Sequence, residues 1–268
     1  MNTFYKLASL AVLSAFFITA CGGSDAETST ETLPIDDSPV DDSTPNETPL
    51  AMLPDAYLMF NSDSVTAVID GANIIIESTG LPDHTSPYWS PDHPLYVAPV
   101  VTTLDRLVPG HIDDFIGTYT LIVPGIPDNA TSPTATGLGP IGIAVSGAPI
   151  YNDEEGAGRA LDSAIEGLDY NGAHTGPQSY HYHLEPLAIS DDDENLIGVI
   201  ADGFFLFGRK CNSTGTYPTN LDASGGHVEI TQHHTEPTYH YHVQNDLFLN
   251  AYYILFPGDY QGTPSAVQ

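Results

Sequence analysis

Tyr180-His181-Tyr182-His183 returns letter for letter as Tyr239-His240-Tyr241-His242. Each copy has a matching approach: Asp169-Tyr170-Asn171-Gly172-Ala173-His174 leads to the first, Asp222-Ala223-Ser224-Gly225-Gly226-His227 to the second. Both approaches fit Asp-x-x-Gly-x-His, so the chain holds an internal repeat with one acid and three histidines per half. The spacer between that histidine and the tetrapeptide is five residues in the first half and eleven in the second, where it includes His233 and His234. Alternating small sets of this kind suit extended backbone, in which successive side chains point to opposite faces. His181 and His183 then share one face and Tyr180 and Tyr182 the other, with His240, His242, Tyr239 and Tyr241 divided in the same way.

The surrounding sequence is also that of a β protein. Ser64 to Asp70 and Asn73 to Ser78 are β-branched runs joined by Asp70-Gly71, a hairpin signal. Tyr96 to Thr103, Tyr119 to Val123, Leu196 to Ala201 and Phe204 to Phe207 read as strands, the last two interrupted by Asp202-Gly203. Gly137 to Ile150 reads as a buried strand ending in the turn Gly147-Ala148-Pro149, and Leu247 to Phe256 as a final apolar strand pair or extended run. Pro124 to Thr136 reads as a long loop, and Glu154 to Ile165 as a short helix whose acidic start suits the helix dipole. The expected fold is mainly β: a β-sandwich-like single domain with long loops and at most one or two short helices.

Composition narrows the function classes. Five Lys and Arg stand against 35 Asp and Glu, a formal charge of −30. Such a chain has no electrostatic footprint for a phosphate backbone, which excludes nucleic acid as a partner and favours cations. No Gly-x-Ser-x-Gly, Walker or dinucleotide fingerprint occurs. Asp191-Asp192-Asp193-Glu194 lacks the frame of a calcium loop and reads as a solvated hairpin end.

The first residues read as an export signal, with Lys6 before an apolar run from Leu7 to Ile18 and small residues directly ahead of Cys21. This resembles a bacterial lipobox. The expected layout is a lipoprotein signal peptide over 1–20, a lipidated Cys21 with a disordered acidic tether over 21–55, and a folded domain over 56–268. The membrane is then a partner through the lipid on Cys21, and the location is the bacterial cell envelope, at the periplasmic face or the cell surface. Apart from Cys21 the only cysteine is Cys211. No intramolecular disulfide remains available, and Cys211 reads as an incidental loop thiol or, less directly, as a ligand.

Neutral imidazole ligates zinc and copper, and a carboxylate can ligate beside it or orient it. If the two tetrapeptides pair or face each other, His181, His183, His240 and His242 meet within reach of one transition-metal ion, zinc or copper. His174, His227 and His84 are alternates, and Asp169 and Asp222 are candidate ligands or orienting groups. Asp202 reads as a turn former first and a ligand second. His93, His111, His233 and His234 lack a repeated frame and read as surface residues. A competing reading makes the same His and Tyr side chains a buried hydrogen-bond network that specifies the fold.

Several longer stretches, Gly80-Leu81-Pro82-Asp83-His84, Ile141 to Tyr151 and Ala201-Asp202-Gly203-Phe204, join the tetrapeptides in resembling the YHYH-domain proteins, found in many exported bacterial proteins. The resemblance runs from about Val65 to Thr263 and implies no particular reaction. It gives His84 and Asp202 more weight, since both fall in recurring segments. Members often carry cysteines in the Asp-x-x-Gly segments, where this chain has Tyr170, Asn171, Ala223 and Ser224. Three functions stay open: a lipid-anchored extracytoplasmic metal-binding domain, a metal-dependent hydrolase or oxidase, and a structural or adhesion module without metal. The sequence specifies no protein or small-molecule partner.

Overall fold

The structure is a computed structural model that describes residues 49–99, 107–156, 158–176 and 179–268. The expected signal, Cys21 and nearly all of the expected tether lie outside the described residues. Leu50 and Leu53 already pack against the core, and the Leu50 amide donates to the Gly71 carbonyl, ahead of residue 56.

Fifteen strands are described, and the fold is mainly β. β1 (Val65–Asp70), β2 (Asn73–Ser78) and β3 (Tyr119–Pro124) form an antiparallel sheet in the order β1-β2-β3. Asp70 pairs with Asn73 across the Asp70-Gly71 turn, where Gly71 takes a φ of 63° that favours glycine. The central sheet has eight strands: β5 (Gly142–Ala144), β6 (Pro149–Ile150), β9 (Ala173–Thr175), β10 (Tyr180–Tyr182), β11 (Leu196–Ile200), β12 (Phe205–Phe207), β13 (Gly226–Glu229) and β14 (Thr238–His242). Its spatial order is β13-β14-β12-β11-β5-β6-β10-β9. Ile74, Ile76, Leu121 and Val123 of the small sheet join Ile143, Val199, Leu206, Tyr182 and Tyr241 of the large one in one buried cluster. The expected sandwich is therefore a small sheet sharing its core with a curled eight-stranded one.

That order reads the same from both ends, because the sheet is built from two equivalent units. Each unit is a short hairpin, β5-β6 or β11-β12, whose second strand runs parallel to a Tyr-His-Tyr-His strand, β10 or β14. That strand in turn pairs antiparallel with the strand of the upstream histidine, β9 or β13. The units meet where β5 pairs with β11, with Ile143 opposite Val199, Gly142 opposite Ile200 and Ala144 opposite Gly198. Ile141 to Glu155 aligns without a gap on Ile197 to Cys211, so Ile143 faces its own repeat equivalent and a pseudo-twofold axis passes between them. A side chain at Gly142 would meet the Val199 carbonyl oxygen at 2.5 Å, and one at Gly198 the Ile143 carbonyl oxygen. Only glycine allows this crossing.

Four expected elements differ. Glu154 to Ile165 is no helix: β7 (Glu154–Glu155) pairs with β8 (Arg159–Ala160), and two 3-10 turns follow, Leu161–Ser163 and Ile165–Gly167. Gly156 and Gly158 disfavour the helix, and Gly158, at φ 66°, supplies the hairpin turn. Pro124 to Thr136 contains β4 (Asn129–Thr134), which accepts Pro133 because its strand partner is only β15 (Tyr260–Gly262). Leu247 to Phe256 forms isolated bridges rather than strands, since Leu249 and Asn250 turn the chain at positive φ. Tyr96 makes a bridge to Ser86, residues 97–99 form no strand, and the rest of that expected strand lies outside the described residues.

Candidate metal centres

Pairing within each unit, not between units, brings the histidines together. His181 lies opposite His174 across β10 and β9, and His240 lies opposite His227 across β14 and β13. The two Tyr-His-Tyr-His strands are separated by four other strands in the sheet order. The expected convergence of His181, His183, His240 and His242 on one centre is therefore incorrect. Among the described residues there are two clusters, one per unit.

The C-terminal cluster is Cys211, His227, His240 and His242, all buried, with ligand atoms that lie within 4.8 Å of one another. His240 Nε2 stands 3.1 Å from His242 Nε2, His227 Nε2 stands 3.2 Å from His242 Nε2, and Cys211 Sγ stands 3.6 Å from His227 Nε2. Nitrogen ligands roughly 2.0–2.1 Å from a tetrahedral zinc ion lie about 3.3 Å apart, and a sulfur ligand about 3.6 Å from a nitrogen.

Each ring is held by its other nitrogen. Nδ1 of His240 donates to the Thr238 carbonyl at 2.8 Å and Nδ1 of His242 to the Gly208 carbonyl at 2.7 Å. Nδ1 of His227 donates to Asn220 Oδ1 at 3.0 Å. These partners are acceptors, so each neutral ring keeps its hydrogen on Nδ1 and turns an Nε2 lone pair toward the other two. Burial, reinforced by the neighbouring rings, pushes the pKa of His240 down to about 3 and that of His242 down to about 4. Burial also lowers His227. All three rings are thus kept in the ligand form. This group could hold a metal ion.

Cys211 is delivered by a pinned segment. Arg209 Nε donates to Glu185 Oε2 at 2.7 Å, its guanidinium stacks 3.8 Å over the Tyr253 ring, and Lys210 Nζ reaches Asp192. The Cys211 amide then donates to the Thr216 carbonyl, closing a loop on the thiol.

The N-terminal cluster repeats the plan. His174, His181 and His183 are buried with ligand atoms mutually within 4.8 Å. Nδ1 of His181 donates to the Ser179 carbonyl and Nδ1 of His183 to the Asn152 carbonyl, the repeat equivalent of Gly208. Burial lowers His181 well below its usual value and His183 to about 4. Glu155 Oε1 lies 3.2 Å from His174 Nε2 and 3.5 Å from His183 Nε2. The His174 ring beside it holds the Glu155 carboxyl below the usual carboxylate range.

A family model described as YHYH protein matches residues 120–220. The chain carries a YHYH domain. The match takes in the first tetrapeptide, Glu155 and Cys211 but ends before the second tetrapeptide, which the sheet shows to be the same element repeated. Comparison with curated proteins found no match, and neither did comparison with solved structures.

The tyrosines of the YHYH domain face the core, where the carboxylates expected near the histidines also lie. Asp169 accepts from the Tyr180 hydroxyl at 2.7 Å, the Ser86 hydroxyl at 2.5 Å and the Asn171 amide at 2.8 Å. Asp222 accepts from the Tyr239 hydroxyl at 2.9 Å and the amides of Ser224 and Gly226. Each thus ties its turn to a tyrosine on the face away from the histidines. The turns themselves need Gly172, at φ 66°, and Gly225, at φ 83°. Asp202 is a brace too: Oδ2 accepts from Tyr241 and from the Gly262 amide, while Oδ1 accepts from the Phe204 amide. Its repeat equivalent Ser146 shares a 2.8 Å hydrogen bond with the Tyr182 hydroxyl.

His84 joins that core network and neither cluster, with Nε2 2.6 Å from the Tyr182 hydroxyl and Nδ1 3.0 Å from the Thr85 carbonyl. His233 and His234 are half-buried against Phe207 and Phe205, outside both groups. Glu155 and Cys211 are the residues that sequence reasoning missed or discounted, the first as part of a helix start and the second as a lone thiol. The signal was present: the gapless alignment from Ile141 and Ile197 ends on these two residues.

Proposed function

We propose that this YHYH domain binds a transition-metal ion, zinc or copper, through Cys211, His227, His240 and His242. The carrying observation is the set of three inward Nε2 lone pairs, those of His240 and His227 lying 3.1 and 3.2 Å from that of His242, with every Nδ1 hydrogen already committed to an acceptor. Three buried lone pairs at that spacing repel one another. The Cys211 thiol can offer at most one hydrogen, whereas a cation satisfies all of them at once. Borderline nitrogen and soft sulfur donors suit zinc and copper over calcium or magnesium. In this reading a lipid on Cys21 holds the domain at the bacterial cell envelope, and the acidic surface raises the local concentration of cations.

Metal analysis and thermal melts of the full-length chain, purified without a histidine tag, test the site. Zinc or copper should bind and raise the melting temperature, and the Cys211→Ala, His240→Ala variant should bind one ion fewer and show a smaller rise while keeping its β-rich circular dichroism. No bound metal, or an undiminished response in the variant, would overturn it. For the anchor, Cys21→Ala should move the protein from the membrane fraction to the soluble one; continued membrane retention would contradict lipidation there.

A further inference from the structure

The N-terminal cluster borders a cavity. His174, His181, His183 and Glu155 all line a cavity of about 770 Å³, together with Tyr151, Arg159 and Ser163. Cys211 is 1% exposed, whereas the Glu155 side chain is 12% exposed and lies on the cavity wall.

Glu155 also occupies the position of Cys211 in the repeat, the last residue of the gapless alignment. The same place in the repeat thus carries a carboxylate in one unit and a thiol in the other; Cys211 lies within 4.8 Å of all three of its imidazoles, and Glu155 lies beside His174 and His183. Glu155 Oε1, His174 Nε2 and His183 Nε2 are buried polar atoms that face one another without a hydrogen-bond partner, although they lie 3.2 to 3.5 Å apart. Buried polar atoms in folded proteins are nearly always satisfied; the 3.2 Å contact of Glu155 with His174 is poorly aligned for a hydrogen bond, and a shared cation satisfies all three atoms at once. Those distances match the edges of a metal coordination shell, about 3.3 Å for nitrogen and oxygen ligands.

We infer that His174, His181, His183 and Glu155 form a second metal centre, independent of the Cys211 centre, whose coordination shell opens on the cavity and takes a small oxygen-donor ligand, water in the simplest case. Three imidazoles form the fixed base of the centre. Glu155 stands on the cavity side, on a two-residue strand paired directly with Arg159, so the shell is accessible there. With three imidazoles and one carboxylate in place, the added ligand enters on the cavity side as a fifth, a coordination number that zinc centres reach when they bind and activate a small molecule. The replacement of thiol by carboxylate shifts the donor set toward harder ions than those favoured by Cys211. Tyr151 stacks 3.9 Å from His181 at the cavity wall where the other unit has Phe207, so this centre also carries a phenol that its twin lacks.

Cobalt(II) substitution of the untagged full-length chain separates the two centres spectroscopically. The expected result is two cobalt ions per chain, a thiolate charge-transfer band from Cys211 and visible d–d bands from both. Azide should shift d–d bands that survive in Cys211→Ser while leaving the thiolate band of the wild type unmoved. In His174→Ala, His183→Ala the azide response should vanish while the thiolate band persists, which shows that the domain is still folded. An azide response without any thiolate band would support this centre and refute the Cys211 one. One cobalt per chain with no azide-sensitive band, or azide sensitivity that survives the double variant, would overturn the inference. If the alanine pair abolishes both signals, Glu155→Gln decides alone: shifted d–d bands support the carboxylate's place in the shell, and unchanged bands refute it.

Discussion

The two units share a backbone plan and nearly every supporting contact, yet they end in different chemistry. In each, an aspartate braces a turn and a tyrosine, a carbonyl two residues before the first histidine of the tetrapeptide orients that ring, and the carbonyl that follows the parallel strand orients the second. The differences lie at the rim. One unit has Cys211, and Asn220 holding His227; the other has Glu155, a His174 Nδ1 without a hydrogen-bond partner, and a large cavity. Duplication preserved the parts that aim imidazoles and varied the parts that decide what else reaches the ion. The first set is constrained by packing on a shared core, whereas the second differs between the units even in exposure, with Glu155 on a cavity wall and Cys211 buried.

The sharpest way to break the comparison is to withdraw metal. A chelator should destabilise the full chain by about 4 kcal/mol for each occupied centre relative to protein in free metal a thousandfold above Kd, measured by denaturant titration. Equal stability with and without metal would reduce both clusters to hydrogen-bond networks. Acid comes next. In metal-free protein His183 and His242 titrate near 4 and His240 near 3, against about 6.5 in the unfolded chain. Between these values the unfolded chain binds more protons. The stability these groups contribute is therefore fully present above pH 6.5 and is lost as pH falls through 4 toward 3. Bound metal should delay that loss because protons compete with it for the same nitrogens. An acid limb unchanged in His240→Ala, His242→Ala would contradict the assignment.

Substitutions at the pseudo-twofold axis test the symmetry itself. Gly142→Ala and Gly198→Ala each press a methyl group on a backbone carbonyl of the opposite unit, and each should cost roughly 3 kcal/mol, nearly equally. A large difference between them would show that the units are not equivalent at their junction. Tyrosine replacements should be unequal. Tyr241→Phe removes a donor from buried Asp202, whose carboxyl burial already pushes up, and should cost roughly 2 kcal/mol. Tyr182→Phe takes its hydroxyl from the Ser146 hydroxyl and the His84 ring rather than from a buried carboxylate and should cost about 1 kcal/mol.

Much of the fold was legible because strand alternation and turn glycines act locally: the hairpin at Asp70-Gly71, the strands on either side of Asp202-Gly203, and the division of each tetrapeptide into His and Tyr faces. The pairing of His174 with His181 and of His227 with His240 was half visible, since both halves carried the same upstream histidine. It was obscured because nothing local says whether the two tetrapeptide strands are neighbours. Glu155 was hidden by an acidic stretch that resembles a helix start, and only the glycines at 156 and 158 argued otherwise. Cys211 was hidden by being alone, and Asp169, Asp222 and Asp202 were misleading because a carboxylate near histidines in sequence can serve a tyrosine on the other side of the strand. Comparing Ile141 to Glu155 with Ile197 to Cys211 recovers both missed residues from the sequence.

Native mass spectrometry of the full-length, untagged chain saturated with zinc measures the number of centres directly. Two ions should bind to the wild type, His240→Ala, His242→Ala should retain one, His181→Ala, His183→Ala should retain one, and the four changes together should retain none. A single ion lost with either pair would mean one shared centre, and a wild-type chain without bound metal would contradict the account altogether.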